Sequence, residues 1–314
     1  MKAFAVDLGG GHATCALVED RSVLDSCRVS TDGAVGLAPA LPRLAEALQG
    51  LLARGRGTDA EPSGLAFGFC GLVDYSRSRI VSTNAKYDDA PGLDLTSWCE
   101  SSFGIPLKMD NDARMALLGE WYAGAARGSN DVVMVTLGTG IGGAAMVQGR
   151  LFRGKHSQAG CLGGHLPVNF EGRKCTCGAI GCAESEAATW SLPAVCQNTT
   201  GYESSGLAQD EPVTFAKLFC RVDQGDPVAQ RVFERCLRVW GVLLVGLIHA
   251  YDPEVIVVGG GVMQSGSRVL PSLQAYVEQH AWTPWGKVRV LSAELGNDAG
   301  LLGAVPLLQG LTDL

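Results

Sequence analysis

The stretch AVDLGGGHATCALV at residues 5–18 joins two apolar runs through three consecutive glycines. Apolar runs on either side of a glycine turn are typical of a β-hairpin. A second stretch, VVMVTLGTGIGGAAMV at residues 132–147, repeats the order of strand, glycine turn and strand. Because repeated units of this kind indicate duplicated architecture, the sequence predicts two similar α/β domains.

The remaining hydrophobic patterns mix strands and helices. They predict strands at 22–30, 64–70, 106–109 and 255–261, and helices at 36–54, 112–126, 227–250 and 298–309. We expect residues 1–116, joined by a closing helical segment at 298–314, to form the N-terminal α/β domain. Residues 117–297 then form the C-terminal α/β domain.

Composition and charge restrict the classes of function. The chain has 314 residues, of which 46% are hydrophobic and 18% charged, values typical of a soluble globular protein. A net charge of −7 argues against a nucleic-acid partner, which normally meets a basic surface. No apolar stretch is long enough to span a membrane, and the N-terminus lacks a secretory signal. We therefore expect a cytoplasmic protein without nucleic-acid or membrane partners.

Three glycine-rich turns follow apolar strands, in DLGGG at 7–11, TLGTGIGG at 136–143 and VVGGG at 257–261. Successive backbone N–H groups in such turns can converge on phosphate oxygens, although tight hairpins also need glycine. None of the three fits the P-loop pattern. The candidate phosphate contacts are Gly9, Gly10, Gly11, Thr136, Gly138, Thr139, Gly140, Gly259, Gly260 and Gly261.

Two sets of carboxylates stand at strand ends. Asp7 precedes the first glycine turn, where it either approaches magnesium and the transferring phosphoryl group or simply initiates the turn. Asp110, Asn111 and Asp112 lie between a strand and a helix, where Asn and Asp are strong helix caps. A carboxylate in this position can also take the proton of an attacking hydroxyl. We expect the helix N-terminus to keep that carboxylate ionised at neutral pH.

Eleven cysteines occur in the chain, and most stand singly in apolar patterns as buried thiols. His165, Cys175, Cys177 and Cys182 instead fall close together in the run HLPVNFEGRKCTCGAIGC. Three thiolates and one imidazole complete a tetrahedral zinc site and leave no open position, which predicts structural zinc. The alternative, a redox pair, normally has a two-residue spacing that CTCGAIGC lacks.

Taken together and in this order, the motifs resemble the ROK family of sugar kinases and related repressors. The resemblance spans nearly the whole chain, through DLGG at 7–10, NDA at 111–113, TLGTGIGG at 136–143, GH at 164–165, CTCGAIGCAE at 175–184 and VVGGGV at 257–262. It implies a two-domain actin-like or hexokinase-like (RNase H-like) ATPase fold, with the active-site cleft between the domains.

The resemblance also implies roles for individual residues. The first two glycine turns face the phosphates of ATP with its Mg²⁺, and the third lies near adenosine. Asp112 is the catalytic base. Asn111, Asp112, His165 and Glu184 contact the sugar, with Asn84 as a further candidate. Homodimers are common in the family, and the winged helix-turn-helix of the repressor members is expected to be absent here.

The chain departs from the family pattern at two positions, one that the resemblance places near phosphate and one that it places against the sugar. The family's DLGGTK reads DLGGGH here, and its AGExGH reads AGCLGGH at 159–165, with Leu162 in place of the glutamate.

From the motifs and the family that they resemble, the sequence predicts an ATP-dependent sugar kinase. It is expected to transfer the γ-phosphoryl group to a hydroxyl, at C6, of a hexose or hexose-like substrate. The alternatives are a sugar-sensing protein with weak catalysis and a kinase for a cyclitol or an amino sugar.

Overall fold

The computed structural model describes residues 1–55, 60–83 and 85–312. The chain divides into two compact units. The first contains Met1–Asn130, Ala144–Cys161 and the closing segment from Glu294 onward; the second contains Asp131–Gly143 and Leu162–Ala293. The first unit thus extends beyond residue 116, the predicted end of the N-terminal domain.

The N-terminal part of the chain supplies most of the elements of the first unit. In chain order they are β1 (Lys2–Leu8), β2 (His12–Glu19), β3 (Ser22–Ser30), α1 (Leu41–Ala53), β4 (Leu65–Phe69), β5 (Leu72–Asp74), β6 (Arg79–Ser82), α2 (Leu95–Phe103), β7 (Leu107–Asn111) and α3 (Asp112–Ala123).

The first sheet has the strand order β3–β2–β1–β4–β7. β1 pairs with β2 in antiparallel register, whereas β1, β4 and β7 are parallel. Every residue of β4 is buried, as expected for a central strand of a parallel sheet that is covered on both faces. Because parallel strands end at the same edge, the residues that follow β1 and β7 lie at one edge of this sheet.

The rest of the chain continues through a second set of elements. These are β8 (Val132–Leu137), β9 (Ile141–Val147), β10 (Arg150–Leu151), α4 (Ala183–Ala187), α5 (Leu192–Gln197), α6 (Phe215–Asp223), α7 (Pro227–Tyr251), β11 (Val255–Gly259), α8 (Gly266–His280), β12 (Arg289–Ser292), α9 (Ala299–Leu302) and α10 (Ala304–Gln309). The second sheet has the order β10–β9–β8–β11–β12. Its strands β8, β11 and β12 are parallel.

The predicted α/β class and both glycine-turn hairpins are confirmed. The predicted closing helix at 298–309 is wrong in detail, because α9 and α10 are separate helices. A Cβ at Gly303, between them, would lie 2.2 Å from the carbonyl oxygen of Met115, so the closing segment approaches α3 more closely than a side chain allows. Among the described residues, no helix is long and apolar enough to cross a membrane.

Candidate active site

Asp110, the first of the three polar residues at the end of β7, is a structural carboxylate. It is completely buried and pairs with two guanidinium groups, Nη1 of Arg114 at 3.1 Å and Nε of Arg153 at 2.8 Å. Arg114 also donates to the carbonyl oxygens of Ser157 and Ala159, at 3.1 and 2.6 Å. The buried charges therefore attach the segment 153–159, which ends at the first residue of AGCLGGH, to the end of β7.

Asn111 caps α3 and also orients the residue after it. Its Oδ1 accepts hydrogen bonds from the backbone N–H groups of Ala113 and Arg114, at 3.0 and 3.4 Å. Its Nδ2 donates to the carbonyl oxygen of Gly71 at 3.1 Å and to Oδ1 of Asp112 at 2.9 Å. Both amide hydrogens of Asn111 are thus used within the protein, and one of them holds the Asp112 carboxylate.

Asp112 and Asp7 form a pair of carboxylates at the same edge of the first sheet. Burial raises the pKa of Asp7 to about 6. Burial, and then the negative charge of Asp7, raise the pKa of Asp112 to about 7. The expectation that Asp112 is fully ionised at neutral pH is therefore wrong, because the loss of water outweighs the favourable helix N-terminus. A group with this pKa exchanges protons readily near pH 7.

Two glycines make room for the Asp7 side chain. A Cβ at Gly300, in α9, would lie 3.1 Å from Cγ of Asp7, and one at Gly68, in β4, would lie 3.6 Å from Oδ1. The carboxylate therefore sits against bare backbone. That close packing explains the loss of water that raises its pKa.

The first glycine turn is held by a tyrosine that lies far away in the sequence. The hydroxyl of Tyr87, a fully buried residue, donates to the carbonyl oxygen of Gly9 at 2.6 Å, across 78 residues. It also lies 2.7 Å from Oγ1 of Thr31. Within the described part of the chain, the N–H groups of Gly10 and Gly11 have no hydrogen-bond partner. Two donors of the turn are therefore available to an anion.

The second glycine turn, at 138–140, is supported by Glu184. Oε2 of Glu184 accepts a hydrogen bond from the N–H of Ile141 at 2.9 Å, and Oε1 accepts one from Nε1 of Trp190 at 3.2 Å. A Cβ at Gly140 would lie 2.5 Å from Oε2. The predicted sugar contact therefore already has a structural task, which is to fix the turn after β8.

The third glycine turn begins beside the second one. Gly259 at the end of β11 is the register partner of Thr136 in β8. Gly260 has a φ of +89°, and a Cβ there would lie 2.4 Å from the carbonyl oxygen of Leu137. Glycine is required at this position both for the backbone conformation and for the close approach.

The predicted metal ligands lie together. The ligand atoms of His165, Cys175, Cys177 and Cys182 are all within 4.8 Å of one another. Nδ1 of His165 lies 3.5 Å from Sγ of Cys175, and Sγ of Cys177 lies 3.7 Å from Sγ of Cys182. A tetrahedral zinc ion, with bonds of about 2.3 Å to sulfur and 2.0–2.1 Å to nitrogen, separates such atoms by about 3.6 and 3.8 Å. The four residues fit zinc.

The first unit thus holds Asp7, Gly9, Gly10, Gly11, Asn111 and Asp112. The second holds Thr136, Gly138, Thr139, Gly140, His165, Cys175, Cys177, Cys182, Glu184, Gly259, Gly260 and Gly261. Asn84 lies outside the described residues. Sequence patterns did not indicate Arg114, Arg153 or Tyr87, because their partners are distant in the chain and no local motif marks them.

The comparisons with known proteins agree on one family. The sequence model of the ROK family matches residues 3–310. The glucokinase of Thermotoga maritima is 31% identical over 316 residues, which cover 98% of this chain and 98% of that protein. The crystal structure of the ROK hexokinase from Thermus thermophilus is similar at a TM-score of 0.81 and 30% identity, covering 99% of this chain and 100% of that one. The crystal structure of a ROK family glucokinase from Streptomyces griseus, in complex with glucose and AMPPNP, is similar at a TM-score of 0.80 and 28% identity. The match covers 98% of this chain and 99% of that one.

The two aspartates around Asn111 should respond oppositely to amidation. Asp110→Asn leaves buried guanidinium charge uncompensated and should lower the free energy of unfolding by about 3–5 kcal/mol. Asp112→Asn should raise the free energy of unfolding at pH 8, because folding holds the pKa of Asp112 above its ordinary value and so disfavours the ionised form. This gain should shrink as the pH falls and vanish below about pH 4, where Asp112 is protonated in the folded and unfolded chains alike.

Urea denaturation of both variants and the wild type at pH 4 and 8 measures these changes. Equal destabilisation by the two substitutions at pH 8 would contradict the distinction between a structural carboxylate and a functional one.

Proposed function

Because the chain belongs to the ROK family and is an ATP-dependent sugar kinase, we propose that it phosphorylates the C6 hydroxyl of a hexose or hexose-like substrate with Asp112 as the general base. One observation carries this assignment. Oδ1 of Asp112 accepts hydrogen bonds from the N–H of Ala113 and from Asn111, whereas Oδ2 accepts none from the residues the structure describes. One oxygen is fixed, and the other is available to a hydroxyl.

The reaction follows from this arrangement. The sugar hydroxyl donates a hydrogen bond to Oδ2 of Asp112. As its oxygen bonds to the γ-phosphorus, the bond from that phosphorus to the β–γ bridging oxygen breaks, the proton passes to Asp112, and ADP leaves. The free N–H groups of Gly10 and Gly11 bind phosphate oxygens as charge moves between them. Mg²⁺ bound to ATP neutralises phosphate charge, and Asp7 is the carboxylate that the first turn offers it.

We also propose that the Cys₃His cluster holds a structural zinc ion. Four protein ligands close the coordination sphere, so the ion organises the loop and takes no part in the chemistry. The cluster is continuous with the predicted sugar contacts, because His165 is one of its ligands and Glu184 follows Cys182 by two residues. Zinc therefore supports the position of both side chains.

The substrate that we propose differs from glucose at the group that the family's glutamate faces. Leu162 stands in place of that carboxylate. Nearby Glu186 does not replace it, since its buried carboxylate accepts the N–H of Arg173 at 2.6 Å and pairs with Arg235. A sugar hydroxyl that loses a charged acceptor loses about 1.5–3 kcal/mol, or about 10- to 150-fold in affinity.

Partners and location are predictions: the family relationship favours a homodimer, and the net charge of −7 disfavours a nucleic-acid partner. We expect a homodimer, no nucleic-acid or membrane partner, and a cytoplasmic location. Size-exclusion chromatography with light scattering is the direct measurement of the assembly.

The base assignment predicts a loss of turnover on amidation of Asp112. Asp112→Asn should reduce kcat by about 10²–10⁴-fold, the usual contribution of a positioned base, and leave the affinity for AMPPNP unchanged. In the wild type, log kcat/KM should rise with pH below about 7 and level off above it, because only the ionised carboxylate accepts the proton. Retention of more than about a tenth of the wild-type rate by Asp112→Asn would refute the role.

The zinc assignment predicts one zinc ion per chain in the purified protein. Cys177→Ala should reduce the zinc content and lower the thermal midpoint of unfolding, since structural zinc contributes directly to folding. Cys220→Ala is the matched control, because Cys220 is also exposed but lies outside the cluster. Freshly purified active enzyme with only a trace of zinc would count against the proposal.

The substrate assignment is tested by kcat/KM over glucose, mannose, allose, glucosamine, the N-acetylhexosamines and cyclitols. Glucose should be a poor substrate of the wild type, and Leu162→Glu should improve it by about 10-fold or more by restoring a charged acceptor. Leu162→Gln introduces a side chain as long as glutamate but neutral, and it should raise kcat/KM for glucose by a smaller factor. If glucose is the best substrate of the wild type, with a micromolar KM, the missing carboxylate does not determine specificity.

A further inference from the structure

Lys86 extends over the first glycine turn. A Cβ at Gly10 would lie 2.7 Å from Nζ of Lys86 and 3.0 Å from Cε. The ammonium group and the end of its stem therefore cover the face of the turn on which Gly10 has no side chain. Neither a glycine-turn motif nor the local sequence around residue 86 indicates this contact.

The backbone around Lys86 is attached firmly to the same turn. Next to it, Tyr87 donates its N–H to the carbonyl oxygen of Gly33 at 2.6 Å and its hydroxyl to that of Gly9. A Cβ at Gly33 would lie 3.0 Å from Cβ of Lys86, so the two segments pack closely. Further on, Asp89 accepts the N–H groups of residues 37 and 38 at 2.7 and 2.8 Å. These contacts fix the backbone from which the Lys86 side chain extends, and its ammonium group lies over the first glycine turn.

The ammonium group of Lys86 lies at the first glycine turn, where the backbone N–H groups of Gly10 and Gly11 also lack partners among the described residues. Among the described residues it has no ion-pair or hydrogen-bond partner. Lys86, Asp7 and Asp112 all influence the pKa of the Cys70 thiol, the lysine lowering it and the two aspartates raising it. The lysine and the two carboxylates therefore all lie within electrostatic reach of the Cys70 thiol. The ammonium group and the free N–H groups of Gly10 and Gly11 are thus three donors at one turn, the kind of group that binds an oxyanion.

We propose that Lys86 binds the phosphoryl group that is transferred from ATP, at the first glycine turn, as a catalytic residue of the kinase reaction. The inference rests on the proposed function. Lys86 is exposed, and its ammonium group lies over the glycine turn. A cation beside the γ-phosphoryl oxygens stabilises the charge that develops on them during transfer. A lysine supplies this as a compact point charge on a flexible stem.

The experiment compares four full-length proteins: wild type, Lys86→Met, Lys86→Arg and Arg43→Met. Methionine keeps the apolar stem and removes the charge, arginine keeps the charge, and Arg43→Met removes one positive charge from an exposed position of α1. Lys86→Met should lower kcat/KM for ATP by about 10- to 100-fold, the usual contribution of a hydrogen bond to a charged group. Lys86→Arg should retain most of the activity, and Arg43→Met all of it.

Binding measurements separate the phosphate from the rest of the substrates. By calorimetry, Lys86→Met should weaken AMPPNP more than adenosine, and the sugar affinity should stay unchanged. In a fifth protein, Lys86→Ala, added propylammonium replaces the deleted atoms and should restore part of kcat, which a merely structural lysine would not allow. Wild-type activity in Lys86→Met, or a higher KM for the sugar with unchanged AMPPNP binding, would overturn the proposal.

The proposed function can fail separately. A wild type that phosphorylates no sugar in the panel contradicts the sugar-kinase assignment, while the comparison of AMPPNP with adenosine still tests Lys86. Conversely, an active wild type with an indistinguishable Lys86→Met variant refutes Lys86 alone.

Discussion

The end of β7 imposes the constraint on which the candidate site depends. The three consecutive polar residues 110–112 lie where β7 ends and α3 begins, and the side chain of each has a different environment. Asp110 turns into the interior and is neutralised by Arg114 and Arg153, Asn111 caps α3, and Asp112 remains with one free oxygen. The order cannot be permuted, because only the middle residue can cap the helix and at the same time donate its amide to the carboxylate beside it.

A similar division of tasks occurs in the loop that carries the cysteines. Glu184 and Glu186 are both buried in α4, but Glu184 fixes the turn after β8, whereas Glu186 fixes the backbone of the cysteine loop and pairs with Arg235 of α7. Ligand geometry alone therefore does not position this loop. A zinc ion would join a framework that buried carboxylates already hold, so its contribution to folding adds to theirs.

The sequence predicted the hairpins, the cysteine–histidine cluster and the polar junction, because each depends on residues that are near in the chain. It did not predict the break between α9 and α10, since Gly303 is required by the backbone of α3 and not by its neighbours. It also overestimated the ionisation of Asp112, because burial depends on the whole sheet edge. Lys86 and Tyr87 could not be found, since no spacing rule relates residue 87 to a turn 78 residues earlier.

Folding stability and the proposed activity place opposite demands on the two carboxylates with raised pKa values, Asp7 and Asp112. Burial holds the pKa values of Asp7 and Asp112 above normal, and the charge of Asp7 raises that of Asp112 further, so ionising them in the folded protein costs stability. In the proposed reaction Asp112 must nevertheless be ionised to accept a proton, so this cost is a requirement of the proposed activity. Asp110 precedes Asp112 by two residues in the chain, but its charge is matched by two guanidinium groups. The fold thus compensates the charge of the carboxylate that holds the structure together and leaves uncompensated the one that we propose as the base.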